Sequence, residues 1–344
     1  MKKVDLRSDT ITLPTKEMLD AITGAELGDD VFREDPTVNR LEDLAATKFN
    51  KEAALFVPSG TMANLVAVLS HCQRGDEVIL GDQAHTFLYE AGGISAFGGV
   101  HSRQIPNQED GTLLLEDIKK AIRKKDVHFP PTRLICLENT HNRCLGMPLS
   151  VNYTNSVSEI AKNNSLSVHV DGARIFNAAV SLDVSVAELT DNIDSVSFCL
   201  SKGLSAPAGS MLCGNKDFIE KARRNRKALG GGMRQAGVLA AAGLVALEKM
   251  TDRIIDDHEN ARTLAERISN INGIRNNLDR VKINIIYFSL DHPKVSGALL
   301  LEKMAEKNIH FFELGTSWFR LVTHAGISKS DINFVVGEFD RVLS

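Results

Sequence analysis

Short apolar runs alternate with stretches of helical periodicity along most of the chain. The apolar runs predict strands at 54–58, 77–80, 133–138, 166–170 and 195–200. Apolar positions three and four residues apart predict helices between them at 61–71, 86–96, 115–124 and 157–162. Strands that alternate with helices favour an α/β fold, in which helices flank a mostly parallel sheet. Ligands bind such sheets at the carboxyl ends of the strands.

Residues 233–249, at the end of the large domain, are Ala-rich and apolar nearly all round, which predicts a helix that is buried or lies at a subunit interface. The chain that follows predicts a smaller α+β domain. The later segments are predicted as a helix at 254–268, a strand at 282–290, a helix at 295–307, a strand pair across 310–323 and a last helix capped near Ser328 or Ser330. We therefore expect an N-terminal arm at 1–15, a large domain at 16–250 and a small C-terminal domain at 251–344.

Composition narrows the class of protein. The 344 residues are 43% hydrophobic and 24% charged, which is ordinary for a soluble globular enzyme. The net charge of −4 argues against nucleic acid or an anionic membrane as the main partner. Since no run of 18 apolar residues occurs and none follows the first lysines, we expect neither a membrane span nor a signal peptide. Five cysteines without a C-x-x-C pair predict reduced thiols in a cytoplasmic protein.

A lysine follows the last apolar strand of the large domain. Lys202 lies between Ser201 and Gly203, at a position where α/β sheets carry catalytic groups. A lysine amine forms a Schiff base with an aldehyde cofactor once desolvation or neighbouring cations lower its pKa. An exposed surface lysine would give the same local pattern.

An aspartate ends the preceding strand, in the segment HVDGAR. Asp171 would then lie in the ligand crevice, where pyridoxal phosphate (PLP) enzymes need a carboxylate against the pyridine nitrogen. Arg174, just beyond, could hold a carboxylate by a two-pronged pair. The alternative is an aspartate that caps a turn beside an unrelated arginine.

A strand-to-helix turn at Ser59, Gly60 and Thr61 has the character of a phosphate cradle. Its N–H groups and the Thr61 hydroxyl lie at the positive end of the following helix. The P-loop spacing is absent, and plain capping of the helix by Ser or Thr explains the same residues.

Two histidines and a basic cluster complete the candidates. His85 begins a predicted helix and could stack on a cofactor ring or take a proton, and His128 has a similar status, while capping or core roles remain open for both. The basic cluster at 221–227 is a solvated helix face or reaches an anionic cofactor, because no aromatic residues interleave with it as in nucleic-acid sites. No H-x-x-x-H or H-E-x-x-H pair occurs, so we expect no metal.

Taken together and in order, eight motifs closely resemble the low-specificity L-threonine aldolases, which are PLP enzymes of fold type I (aspartate-aminotransferase-like). The resemblance runs from about residue 3 to the C-terminus. The motifs lie at residues 5–10 (DLRSDT), 28–30 (GDD), 56–61 (FVPSGT), 138–142 (ENTHN), 169–174 (HVDGAR), 199–204 (CLSKGL), 230–235 (GGGMRQ) and 320–324 (RLVTH).

The resemblance implies roles around the cofactor. Lys202 would carry PLP as a Schiff base, and Asp171 would pair with the pyridine nitrogen. Gly60 and Thr61 would hold the phosphate, and His85 would stack on the ring.

It also implies roles around the substrate and between subunits. Ser8, Arg174 and Arg320 would hold the substrate carboxylate, with Arg174 also beside the cofactor. Lys227 and Arg234 would approach the site from a neighbouring subunit, so the resemblance implies a dimer or tetramer with shared active sites.

The implied reaction is retro-aldol cleavage of L-threonine or L-allo-threonine to glycine and acetaldehyde. His85 and His128, the family's second histidine, are both candidates for the base. Phe32 and Arg33 depart from the Tyr-Gly that the family often has, which bears on substrate range. Alternatives are a phenylserine or other β-hydroxy-amino-acid aldolase, and a β-eliminating lyase or aminotransferase. A non-catalytic protein would be expected to lose the lysine or the carboxylate clamp.

Overall fold

A computed structural model describes residues 2–344. The chain divides into two compact units. The larger unit is Pro14–Thr251, and the smaller one combines the chain up to Leu13 with Asp252–Ser344. The N-terminal segment thus belongs to the same unit as the C-terminal part of the chain.

Strands and helices alternate along most of the chain. In chain order the strands are β1 (Val4–Asp5), β2 (Ala53–Val57), β3 (Glu77–Gly81), β4 (His101–Ile105), β5 (Thr132–Glu138), β6 (Ser167–Asp171), β7 (Ser195–Cys199), β8 (Ser210–Gly214), β9 (Ile274–Asn276), β10 (Ile285–Leu290), β11 (Ile309–His310), β12 (Phe312–Gly315) and β13 (Trp318–Val322). The helices are α1 (Lys16–Thr23), α2 (Pro36–Lys48), α3 (Gly60–His71), α4 (His85–Leu88), α5 (Gly93–Ala96), α6 (Leu115–Ala121), α7 (Val151–Asn163), α8 (Ile175–Leu182), α9 (Val186–Thr190), α10 (Lys216–Ala228), α11 (Gly237–Val245), α12 (Ile254–Ile268), α13 (Gly297–Glu306) and α14 (Lys329–Leu343).

The larger unit is built on a seven-stranded sheet of order β2-β8-β7-β6-β5-β3-β4. Neighbours from β7 to β4 pair in parallel, whereas β8 is antiparallel to both β2 and β7. β3, β7 and β8 are buried along their whole length, as expected for sheet strands that are covered on both faces. The expected mostly parallel α/β sheet is confirmed.

The expected helix at 86–96 is wrong. Two single turns, α4 and α5, replace it, because Ala91 and Gly92 adopt left-handed conformations with φ of 53° and 64°. Such a conformation ends a helix, and at Ala91 the sequence carries no glycine to announce it. α7, in contrast, begins at Val151 rather than 157, because the Ser150 hydroxyl accepts the N–H of Tyr153 and caps it.

The Ala-rich segment starts later than its composition predicts. α11 begins at Gly237 rather than 233 and runs into a π-helical turn at Ala246–Met250. Seven of its nine residues are buried, as the apolar pattern indicates.

The smaller unit contains an antiparallel sheet of order β12-β13-β10-β9. Its core joins Phe288, Phe319 and Phe339 from the sheet and α14, with Phe288 and Phe319 stacked at 4.9 Å. Ser328 caps α14 in a reciprocal capping box with Asp331. A separate ladder pairs β1 with β11 in parallel, with Val4 opposite Ile309. Among the described residues, no helix is both long and apolar enough to cross a membrane.

Candidate active site

Polar residues gather at the carboxyl edge of the parallel sheet in the larger unit. Asp171 is the last residue of β6, Glu138 the last of β5, and His85 follows β3. Lys202 comes three residues after β7. Because parallel strands end at a common edge, segments distant in sequence meet there.

Asp171 is held as a hydrogen-bond acceptor. Its Oδ2 accepts the Asn64 side-chain amide at 2.8 Å, and its Oδ1 accepts the N–H of Ala173 at 3.1 Å. The side chain is buried, so these donors replace water around the carboxylate. These donors orient the carboxylate as an acceptor, which suits a group that would pair with the ring nitrogen of PLP.

His85 is fixed through both its backbone and its ring. Its N–H donates to Glu138 Oε2 at 2.8 Å, and its Nδ1 lies 2.9 Å from Glu90 Oε1. That Glu90 oxygen already accepts a hydrogen from Asn64, so His85 donates through Nδ1 and Nε2 is the basic nitrogen of the neutral ring.

Charges around His85 move its pKa upward. The hydrogen bond that His85 donates to Glu90 is the largest cause, and the negative charge of Asp171 adds to it. The positive charge of Lys202 acts in the opposite direction, so the lysine and the imidazole face the same region. Burial and the proximity of Asp171 raise the pKa of Glu90 itself.

The polar atoms of His85, Glu90 and Asp171 lie within 4.8 Å of one another. That spacing would also suit a cation. The hydrogen bonds from His85 and from Asn64 to the two carboxylates already account for the arrangement.

Lys202 lies in a tight turn beyond β7. Its carbonyl oxygen accepts the N–H of Ser205 at 2.9 Å, and Ser205 has a left-handed φ of 63°. Gly203 and Leu204, which follow in the turn, are buried, whereas Lys202 is half-buried. A half-buried amine at the mouth of a crevice can reach a bound aldehyde.

The amino end of α3 provides an anion cradle. Ser59 accepts the N–H of Met62 through its hydroxyl, while Gly60 and Thr61 form the first turn. A Cβ on Gly60 would lie 2.9 Å from Cys199 Sγ, so only glycine brings the helix end this close to β7. The nearby Ser210 hydroxyl is buried and has no hydrogen-bond partner among the described residues. These groups fit a phosphate at a helix amino end.

The carboxylate-binding candidates lie in different units. Arg174 is buried at the start of α8, three residues beyond Asp171. Ser8 and Arg320 belong to the smaller unit, where the Arg320 guanidinium donates to the backbone oxygen of Arg7 at 3.0 Å. That bond brings Arg320 to the segment that carries Ser8.

Three predicted residues are separate from the cluster within this chain. His128 lies in an exposed loop, with its Nδ1 2.6 Å from Asp126 Oδ1. Arg234 is exposed and donates to Asp29 at 2.9 Å. Lys227 lines a cavity of about 270 Å³ together with Arg33 and Arg226.

Sequence reasoning gave no role to Asn64 or Glu138. Asn64 is 2% exposed inside α3, surrounded in sequence by Ala63 and Leu65. A lone amide in an otherwise apolar helix stretch is the signal that could have identified it, because buried amides need dedicated partners.

A lysine and a carboxylate at the carboxyl edge of a seven-stranded mixed sheet, beside a helix amino end that fits a phosphate, define the PLP-dependent enzymes of fold type I. The family model of the β-eliminating lyases matches residues 5–291. Low-specificity L-threonine aldolase 1 of Arabidopsis thaliana is 49% identical, over 100% of this chain and 97% of that protein. The low specificity L-threonine aldolase of Escherichia coli K12 is 43% identical, over 99% of both chains.

The solved structure of Leishmania major threonine aldolase shares the fold, with a TM-score of 0.85 at 19% identity, over 99% of this chain and 100% of that one. The chain belongs to the family of low-specificity L-threonine aldolases and is a PLP-dependent carbon–carbon lyase.

Proposed function

We propose that this enzyme cleaves the Cα–Cβ bond of L-threonine and L-allo-threonine, releasing glycine and acetaldehyde. The observation that carries the proposal is the convergence of Lys202, Asp171 and a proton-accepting His85 at one sheet edge. The names of the relatives, at 43–49% identity over nearly the whole chain, support the same substrate.

When bound, PLP supplies an electron sink for the charge that bond cleavage leaves at Cα. Lys202 would hold it through its amine, and Asp171 would pair with the ring nitrogen. Ser59, Gly60 and Thr61 would hold the phosphate at the amino end of α3.

Orientation of the substrate comes from its carboxylate. Arg174, Ser8 and Arg320 would hold that group and so orient the Cα–Cβ bond for cleavage. Orientation of this kind selects which bond breaks.

His85 is the better candidate for the base. Its Nε2 is the free nitrogen of a ring whose Nδ1 proton is engaged by Glu90. In the neutral form it can take the β-hydroxyl proton directly or through water. His128 is exposed and paired with Asp126, so it can act here only through a subunit contact or a loop movement.

We extend the proposal to the oligomeric state of the enzyme and to its cellular compartment. Lys227 and Arg234 are exposed, and Arg234 donates to Asp29 rather than to a residue of the cluster. Their exposure supports a homodimer or homotetramer with shared active sites. All five cysteines are free and buried, which supports a reduced, cytoplasmic setting. Threonine catabolism and glycine supply follow from the proposed reaction.

The test is acetaldehyde release from L-threonine by the PLP-loaded protein, followed as NADH loss with coupled alcohol dehydrogenase. We expect steady NADH loss that disappears in Lys202→Ala and persists in Lys216→Ala, which changes an exposed lysine on α10. NADH loss that survives Lys202→Ala would contradict the role of that lysine. Activity on phenylserine alone would redirect the substrate, and a ketoacid product would indicate elimination or transamination instead.

A further inference from the structure

A line of buried polar side chains runs through the larger unit to Asp171. His71 Nε2, at the end of α3, lies 2.8 Å from Ser195 Oγ, and the same hydroxyl lies 2.9 Å from His169 Nδ1. His169 Nε2 lies 3.2 Å from Asn64 Oδ1, and Asn64 Nδ2 lies 2.8 Å from Asp171. The reaction proposed above uses only the last of these residues.

Strand register places the line on one face of the sheet. His169 is opposite Ser195, and Asp171 is opposite Ser197, in the parallel pair β6–β7. Alternate residues of a strand share a face, so these four side chains point the same way. α3, which carries Asn64, packs against β6 and β7.

The amide of Asn64 can be oriented in only one way. Its Nδ2 meets two carboxylate oxygens, of Asp171 and of Glu90, each at 2.8 Å. Those oxygens accept, so the NH₂ group must face them. Its Oδ1 then accepts from the Ser197 hydroxyl at 2.7 Å and from His169. Every donor and acceptor of the amide is used.

This orientation fixes the direction of the remaining bonds. His169 must donate through Nε2, so its Nδ1 accepts the hydroxyl hydrogen of Ser195, whose oxygen accepts from His71 Nε2. Burial lowers the pKa of His169 to about 4 and that of His71 to about 3, so both rings are neutral. All hydrogens in the line point toward Asp171, and hydrogen bonds aligned in this way polarise one another.

We propose that His71, Ser195, His169 and Asn64 form an uncharged hydrogen-bond relay that holds Asp171 ionised and oriented for the pyridine nitrogen of the cofactor. They are positioning residues, because they act through Asp171 and contact neither substrate nor cofactor. The inference rests on the proposed role of Asp171. It adds that the acidity of the ring nitrogen is tuned by residues on the far side of that carboxylate.

The test measures the ring nitrogen itself. ¹⁵N-labelled PLP bound to the enzyme reports protonation of the pyridine nitrogen by NMR as pH is varied. We expect His169→Leu to lower the pKa of that nitrogen by about one unit, a tenfold change in its protonation constant. His169→Gln keeps a donor toward Asn64 and should restore most of the shift.

Position along the relay supplies a second criterion. Ser195→Ala, a small substitution in a buried strand, should lower the nitrogen pKa by less than His169→Leu does. It removes the hydrogen bond to His169, which is one step further from Asp171 along the relay. Val170→Ala is the matched control, since this buried neighbour of His169 points to the opposite face of the sheet. It should leave the nitrogen pKa unchanged.

Two failures can be told apart. If Asp171→Asn leaves the ring nitrogen protonated as before, the proposed pairing of Asp171 is wrong. If Asp171→Asn removes the proton but His169→Leu and Ser195→Ala both behave like Val170→Ala, the relay is wrong and the pairing stands.

Discussion

At the residue scale, the contact with Glu90 affects both the tautomer of the His85 ring and its affinity for a proton. A buried carboxylate beside an imidazole selects the ring tautomer and raises its affinity for a proton. The two effects oppose each other in catalysis by a neutral base. The selected tautomer presents Nε2, whereas the raised pKa keeps more of the ring protonated at a given pH.

Because the two effects oppose each other, replacing Glu90 should shift the pH dependence of activity. If neutral His85 is the base, activity rises as pH increases through its pKa, which lies above the ordinary value of 6.5. Glu90→Gln removes the charge but keeps an oxygen that can accept from His85 and Asn64. We expect the acid limb of the kcat/KM profile to move to lower pH in Glu90→Gln.

The measurement is kcat/KM for L-threonine across the pH range. Glu188→Gln, on α9, is the control for loss of a carboxylate that makes no contact with His85. An acid limb that stays in place in Glu90→Gln, while His85→Asn retains activity, would transfer the base role to His128 or to water.

At the element scale, α10 differs from its sequence pattern. Its basic cluster suggested a solvated face or a contact with an anionic cofactor, and Arg224 and Lys227 are exposed. Arg226, however, is 2% exposed. Its guanidinium donates to Asp30 Oδ2 and to the backbone oxygen of Phe56, both at 2.6 Å. This arginine fastens α10 to β2, next to the helix that holds the proposed phosphate.

Arg226→Ala should therefore destabilise the protein strongly. Removing Arg226 leaves the buried Asp30 with only the more distant Arg223, at 3.8 Å, and breaking a buried pair in this way costs about 3–5 kcal/mol. Arg224→Ala, two residues away on the exposed face, should change the free energy of unfolding by less than about 0.5 kcal/mol. Urea denaturation of both variants checks the difference, and equal midpoints would show that the buried pair contributes nothing.

Sequence patterns predicted β2, β3, β5, β6 and β7, because these strands are mostly buried and each carries a run rich in apolar residues. They missed β4, an edge strand whose sequence HSRQI has a single buried residue, and β8, a short buried strand of five residues with the sequence SMLCG. They also could not separate Arg226 from Arg224, since burial depends on a tertiary partner at Asp30. The same limit applies to Asn64, because its partners Glu90 and Asp171 lie far from it in the sequence.

At the scale of the whole molecule, the proposed shared sites make a quantitative prediction. Lys202→Ala and Arg234→Ala should each be inactive or nearly so alone. If Arg234 serves the neighbouring subunit, a mixed dimer contains one intact site, with Lys202 from one chain and Arg234 from the other. Random mixing of equal amounts should then restore about a quarter of the wild-type activity.

Co-expression with two affinity tags isolates the mixed dimer for the assay, and this purified dimer, with one intact site of two, should have about half of the wild-type activity. A mixture of Lys202→Ala with Lys202→Ala in the other tag controls for the tags. Absence of any recovered activity in the mixed assembly, with both parents folded and associated, would place Arg234 in the site of its own chain.

The pairing of β1 with β11 has a consequence for biosynthesis. Val4 is translated about 300 residues before its partner Ile309. At roughly 5–20 residues per second, the N-terminal segment waits on the order of 15–60 s before its strand can form. During that time Leu6, fully buried in the finished protein, has no native core to enter. Protection of the nascent N-terminus, for instance by a chaperone, would therefore matter more for this chain than for one whose first strand pairs with its second.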